Sequence, residues 1–169
     1  MSAPDEHRVT APEEFILGEF QRTFDERYRL SIPSELMAGL GPRQVECILA
    51  KERPGCLSLW NAAVWQAKLD AGVDLVKAKM RAGRLEGQLG QVQLLGRLLS
   101  TRHRRVSLAA RGRLIVPEGF REFLHADPGS DVLLVGAAVC IEIWNPAAWR
   151  AYLERRMPRF RRLFDRLSS

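Results

Sequence analysis

The chain has 169 residues, 46% of them hydrophobic and 27% charged, with a formal net charge of +6 and an isoelectric point near 9.8. That composition excludes disorder along the whole length, and no apolar run approaches the roughly 18 residues a membrane-spanning helix needs. The length fits one ordinary domain, or two small half-domains sharing one core.

Most of the positive charge is arginine, whose planar fork of donors suits phosphates and guanine edges as well as carboxylates. A basic balance points to nucleic acid or another anionic surface. The alternative is an arginine-heavy coding sequence with no partner behind it. Residues 1–14 are polar, carry no secretory signal, and read as a flexible segment. Cys47, Cys56 and Cys140 form no CxxC pair, and with His7, His103 and His125 show no zinc spacing. They read as packing residues in a reducing compartment. The expected location is cytoplasmic, with no metal, no cofactor and no membrane partner.

In chain order, a strand is expected around Glu19–Phe24, a polar turn over Asp25–Arg29, and a second strand over Leu30–Ile32 that Pro33 closes. Leu36 and Leu40 mark a short helix stopped by Gly41-Pro42. Strands follow over Val45–Ala50 and Leu57–Trp60, then a helix holding Trp65 that Asn61 can cap. Gln66–Thr101 reads as a helical connector packed on the sheet. Leu69, Val73, Val76 and Met80 carry one helix, and Leu89, Val92, Leu95 and Leu99 another. The series then recurs. A strand is expected over Arg105–Leu108, a turn over Ala109–Arg113, and a strand over Leu114–Val116 before Pro117. A helix with Phe120, Phe123 and Leu124 follows, then strands Val132–Val135 and Val139–Trp144, and a helix with Trp149 capped by Asn145. After Tyr152 the tail reads as a basic helix, with seven arginines between Arg150 and Ser169.

The recurrence is an internal duplication. Trp60-Asn61-x-x-x-Trp65 matches Trp144-Asn145-x-x-x-Trp149 at an offset of 84 residues. The same offset relates Arg29-Leu30 to Arg113-Leu114, Pro33 to Pro117, Leu40 to Leu124 and Cys56 to Cys140. It divides the chain into a segment 1–14, repeat one at 15–65, the connector 66–101, repeat two at 102–152, and the basic tail 153–169.

Gly18-Glu19-Phe20, followed by Phe24-Asp25-Glu26-Arg27-Tyr28-Arg29-Leu30-Ser31-Ile32-Pro33, resembles the opening of the MraZ family. That family's motif is D-x-x-x-R, then an apolar strand and proline. Gly112-Arg113-Leu114-Ile115-Val116-Pro117 resembles its second copy, and Leu134-Val135-Gly136 through Ile143-Trp144 and Trp149 its C-terminal half. The resemblance covers about Phe15 to Leu153. It implies a mixed α+β fold of tandem AbrB-like (SpoVT-AbrB-type) half-domains. These interleave into one swapped-hairpin β-barrel, a pseudo-dimer with peripheral helices. It also implies ring-like homo-oligomers that bind repeated elements in double-stranded promoter DNA. It further implies control of the division and cell-wall gene cluster and association with the nucleoid. One departure is plain: Ala109 stands where the second motif has aspartate. Arg104 and Arg105 also occupy positions where the family often carries acids.

On this reading Arg29 and Arg113 contact DNA centrally, with Arg27 and Arg111 beside them. Arg102, Arg104 and Arg105 grip phosphate within a run of seven arginines and one acid between Arg97 and Arg121. Asp25, four residues before Arg29, orients it. The alternative for that pair is an exposed ion pair of about 0–1 kcal/mol with no further role. The four tryptophans suit base stacking or packing, and their repeated strand-to-helix position favours packing. The tail arginines suit phosphate, a neighbouring subunit or solvent alike. Ser31, Ser34, His103 and Cys56 form no nucleophile–base pattern, and there is no glycine-rich phosphate loop, so no enzyme is expected. The rival to a sequence-specific regulator is a ring-forming AbrB-like structural module that binds DNA without specificity.

Overall fold

A computed structural model describes residues 14–41 and 46–169. The expected flexible segment therefore lies almost wholly outside the described residues, as do Pro42 and Val45. Among the described residues eight strands and six α-helices follow in the expected order. The strands are β1 (Glu19–Thr23), β2 (Arg29–Ser31), β3 (Cys47–Arg53), β4 (Cys56–Asn61), β5 (His103–Val106), β6 (Arg113–Ile115), β7 (Asp131–Gly136) and β8 (Ile141–Trp144). The helices are α1 (Ser34–Met37), α2 (Ala62–Arg81), α3 (Leu89–Arg102), α4 (Glu118–Leu124), α5 (Pro146–Arg156) and α6 (Phe160–Ser168).

Strand pairing crosses between the halves. Six strands form one antiparallel sheet in the order β1-β7-β8-β4-β3-β5, and β2 pairs with β6 in a separate ribbon. The registers carry a twofold relation. Leu30 faces its equivalent Leu114 in the ribbon, and Ser58 faces its equivalent Glu142 between β4 and β8. The six-stranded sheet has free edges at β1 and β5, so it is not a closed barrel.

Several expected boundaries move. β2 and β6 each begin one residue early, because the tip arginine already belongs to the ladder. The first strand of the second half is His103–Val106 rather than Arg105–Leu108. Thr23 pairs with Asp131 while Val106 pairs with Cys47, which is equivalent to Asp131. The second half therefore holds one extra residue between strand and tip. Pro33 and Pro117 occupy equivalent N-caps, with φ of −56° and −63°. Asn61 accepts from Ala63 N (2.9 Å) and Val64 N (3.2 Å), and Asn145 from Ala147 N (2.9 Å) and Ala148 N (3.3 Å). Each asparagine thus satisfies orphan donors of the helix it opens.

One core draws on both halves: Leu30, Leu49, Leu57 and Leu59 pack with Leu114, Leu134, Ile141 and Ile143. The tryptophans pack rather than stand free. Trp60 Nε1 donates to Ser58 (2.8 Å) and Trp144 Nε1 to Glu142 (3.1 Å), so equivalent rings reach equivalent acceptors. All three cysteines are buried. Burial pushes the Cys47 thiol up to about 11 and the Cys140 thiol up to about 12, and raises that of Cys56 as well.

The connector is helical and reaches the sheet as expected, but its first helix begins earlier. α2 runs unbroken from Ala62, inside the expected first repeat. Leu69, Val73 and Val76 of α2 face Leu95 and Leu99 of α3 across a cleft of about 340 Å³ whose floor on the sheet is Glu52 of β3 and His103 of β5. Leu75, Met80, Leu89, Leu94 and Leu98 are exposed. The inner faces of the two helices thus line a cleft over the sheet, while their outer apolar residues stay exposed. The tail is also two helices rather than one. Pro158 lies in a 3₁₀ turn, Met157–Arg159, that separates α5 from α6, as expected for a residue that cannot donate to a continuing helix.

Candidate nucleic-acid interface

Successive residues of a strand point to opposite faces. In the β2–β6 ribbon Leu30 and Leu114 are fully buried, so Arg29, Ser31, Arg113 and Ile115 share the outer face. The twofold relation therefore brings the two central arginines, 84 positions apart in sequence, onto one surface. The turns that carry Arg27 and Arg111 sit at opposite ends of this ribbon. Val116 N donates to Tyr28 O (3.1 Å) at one end and Ile32 N to Gly112 O (2.9 Å) at the other. Four residue steps separate those ends, roughly 13 Å. Ser31 and Ile115, the latter 58% exposed, join the same face. They escape a search for basic residues, although the alternation around Leu30 and Leu114 points to them.

The first tip is held by its aspartate. Asp25 Oδ1 accepts from Arg27 N (2.8 Å) and Arg29 N (2.9 Å), and Asp25 Oδ2 accepts from Arg29 Nε at 2.6 Å. The Arg29 amide, ahead of its guanidinium, holds the Asp25 carboxyl below its ordinary value. The pKa is lower in the folded chain, so the clamp is present at neutral pH. It is lost only as pH falls through that lowered value. The clamp occupies Nε and leaves both Nη groups of Arg29 without a partner among the described residues. Tyr28, with φ of +57°, is fixed further by Arg121. The Arg121 guanidinium lies 4.0 Å from the Tyr28 ring centroid, and its Nε donates to Val116 O (2.7 Å).

The second tip keeps the backbone and lacks the clamp. Ala109 N donates to Arg113 O (2.9 Å), as Asp25 N donates to Arg29 O (3.2 Å). Ala109 offers no carboxylate. Gly112, equivalent to Tyr28, has φ of +72°, and a Cβ there would come within 2.6 Å of Met37 Sδ. Arg111 also has positive φ, at +64°. A cleft of about 880 Å³, bordered by Met37, Gly41, Ala109 and Arg111, lies beside this tip. The first tip should therefore protect its amides better. In hydrogen exchange of the free protein, Arg27 and Arg29 amides should exchange more slowly than Arg111 and Arg113 amides, and Asp25→Ala should remove most of the difference. Equal rates in the wild type would contradict the asymmetry.

The other expected phosphate contacts divide. Arg102 ends α3, and its Nε donates to Lys51 O at 2.6 Å. Arg105 pairs with Glu46. Both therefore have partners within the chain. Arg104 is exposed, with no side-chain partner among the described residues. It points to the opposite face of β5 from Arg105, so the two do not serve one surface. Arg27, Arg111 and Arg113 are exposed and likewise unpartnered among the described residues.

A family model described as MraZ protein matches residues 101–167, from the start of the second half to the tail. Over 138 residues the chain is 30% identical to a protein of Symbiobacterium thermophilum named Transcriptional regulator MraZ, covering 82% of this chain and 89% of that one. It is 29% identical over 147 residues to the protein of the same name from Treponema pallidum, covering 85% and 88%. With that of Acetivibrio thermocellus it shares 27% over 135 residues, covering 80% and 84%. A relative 30% identical to it, matched over most of both chains, places this chain in the MraZ family.

Proposed function

We propose that the chain is a sequence-specific DNA-binding transcriptional regulator whose recognition surface is the outer face of the β2–β6 ribbon with its two tips. The observation that carries this is the convergence of Arg29 and Arg113 on one exposed face, flanked by Arg27 and Arg111, whose side chains have no partner among the described residues. The major groove, about 12 Å wide, admits a two-stranded ribbon. Arginine Nη groups presented there match guanine O6 and N7. Asp25 acts as the positioning residue for Arg29. Arg104 is placed for a phosphate contact at the margin, and Arg102 and Arg105 reach DNA only by exchanging their present partners.

The cross-half pairing supports the finer architecture. Repeats 15–65 and 102–152 act as the two halves of a swapped-hairpin pseudo-dimer, joined by the connector 66–101 and followed by the tail 153–169. The same reading extends to ring-like self-association, to repeated elements in the promoter of a division and cell-wall gene cluster, and to a place in the cytoplasm on the nucleoid. The relatives' shared name, Transcriptional regulator MraZ, supports the regulatory part.

The test is titration of the protein against a fragment upstream of its own gene and against a scrambled fragment, over a salt series. A specific regulator shows a preference for the former that persists as salt rises. The phosphate part of binding should fall with salt in proportion to the contacts made. A wild-type protein with no preference is the ring-forming module that binds DNA without specificity, for which the unclamped second tip is the one observation in favour. A stable monomer in light scattering removes the ring.

A further inference from the structure

The tail helix α6 buries none of its side chains: every residue from Glu154 to Ser169 is exposed. At about 100° per residue, Phe160, Leu163, Phe164 and Leu167 fall on one stripe. They are 60%, 44%, 60% and 74% exposed. The rings of Phe160 and Phe164 lie 6.1 Å apart along it. Arg161 borders the stripe on one side and Arg166 on the other, and Arg162 stands opposite. An apolar stripe of this kind requires a partner with an apolar layer, and its flanks require negative charge.

Two occupants fit the stripe less well. DNA offers phosphates but no layer for four large apolar side chains. The exposed apolar residues of the α2–α3 hairpin in a second copy offer the layer. That hairpin, residues 62–102, carries seven lysines and arginines against three acids, and residues 150–169 carry seven arginines against two acids. Two like-charged segments repel. No helix among the described residues is long and apolar enough to cross a membrane, but a helix need not span a bilayer to lie on one. We propose that α6 is an interfacial helix that docks on an anionic lipid bilayer. Its four apolar side chains enter the headgroup–acyl boundary, and Arg161 and Arg166 reach lipid phosphates from either side.

The experiment is co-sedimentation of the full-length protein with vesicles of equal parts phosphatidylglycerol and phosphatidylcholine, and with phosphatidylcholine alone. Binding should occur on the anionic vesicles only and weaken with salt. Phe160→Glu with Phe164→Glu should reduce it by about tenfold or more. Arg161→Ala with Arg166→Ala should reduce it less. Melting temperature and promoter binding should stay unchanged, because α6 contributes nothing to the core or the tips. The proposal is overturned if the wild type does not sediment with anionic vesicles, or if the double Phe variant sediments equally well. It is overturned too if that variant lowers the light-scattering mass while the wild type ignores vesicles, since the stripe is then a contact between copies.

Discussion

Trp144→Ala should lower the free energy of unfolding by about 3–5 kcal/mol, the range for removing a large aromatic side chain from a packed core. The ring is 1% exposed and lies within 5.1 Å of Trp149 and 5.0 Å of Tyr152, centroid to centroid. Its strand β8 is paired on both sides, with Trp144 opposite Cys56 of β4 and Leu133 of β7. The site therefore has little freedom to collapse onto the vacancy. A second cost adds to the cavity. Burial raises the Glu142 carboxyl pKa and the bond from Trp144 Nε1 opposes that rise, so the variant leaves a half-buried acid without this donor. The equivalent change, Trp60→Ala, should cost less. Trp60 is 6% exposed, packs with Ile48, Ala62 and Cys140, and its Nε1 partner is a neutral hydroxyl. Urea unfolding followed by circular dichroism measures both. A Trp144→Ala cost below about 1 kcal/mol would mean that the ring is not part of the core as described.

That pair of tryptophans shows what a single sequence reveals about this fold. Local chemistry was legible. Asn61 and Asn145 cap helices, Pro33 and Pro117 end strands, and Asp25 reaches forward to Arg29, because each acts within about four residues of itself. The duplication was legible because tryptophan is rare. Which strands pair was not, since β1 meets β7 more than 100 residues away and nothing in either segment names the other. The free sheet edges show the same limit, as the closed barrel rested on resemblance alone.

The basic run at Arg97–Arg121 shows a related limit. Charge along a sequence does not show that Lys51 O and Glu46 lie across the sheet from Arg102 and Arg105. Arg121 belongs to that run too, yet its guanidinium packs on Tyr28 and serves the first tip structurally. Helical periodicity has the same blind spot. The stripes on α2 and α3 identify an apolar face without identifying what lies against it, which here is a cleft shared with β3 and β5.

Arg29→Ala should weaken binding to the promoter fragment by about 1–3 kcal/mol and lower the preference over scrambled DNA, if its Nη groups read guanine. The expectation rests on geometry. Asp25 holds Nε at 2.6 Å, so the guanidinium meets DNA already oriented. Arg113 shares the outer face without such a brace. Arg113→Ala should therefore cost less, at the lower end of the same range, because part of its contact energy goes to ordering a mobile side chain. Asp25→Ala separates orientation from charge. It adds positive charge to the surface, so a purely electrostatic tip would bind all DNA more tightly. A positioned tip would instead lose preference for the promoter while non-specific binding rises. Arg104→Ala provides the contrast, with equal weakening on both fragments and a salt slope lower by about one contact. The core should be unaffected in all four variants, since these side chains lie outside it, while Asp25→Ala loosens the first tip locally. If Arg29→Ala, Arg113→Ala and the double variant keep the wild-type preference, the ribbon face does not read sequence and the recognition surface lies elsewhere on the molecule.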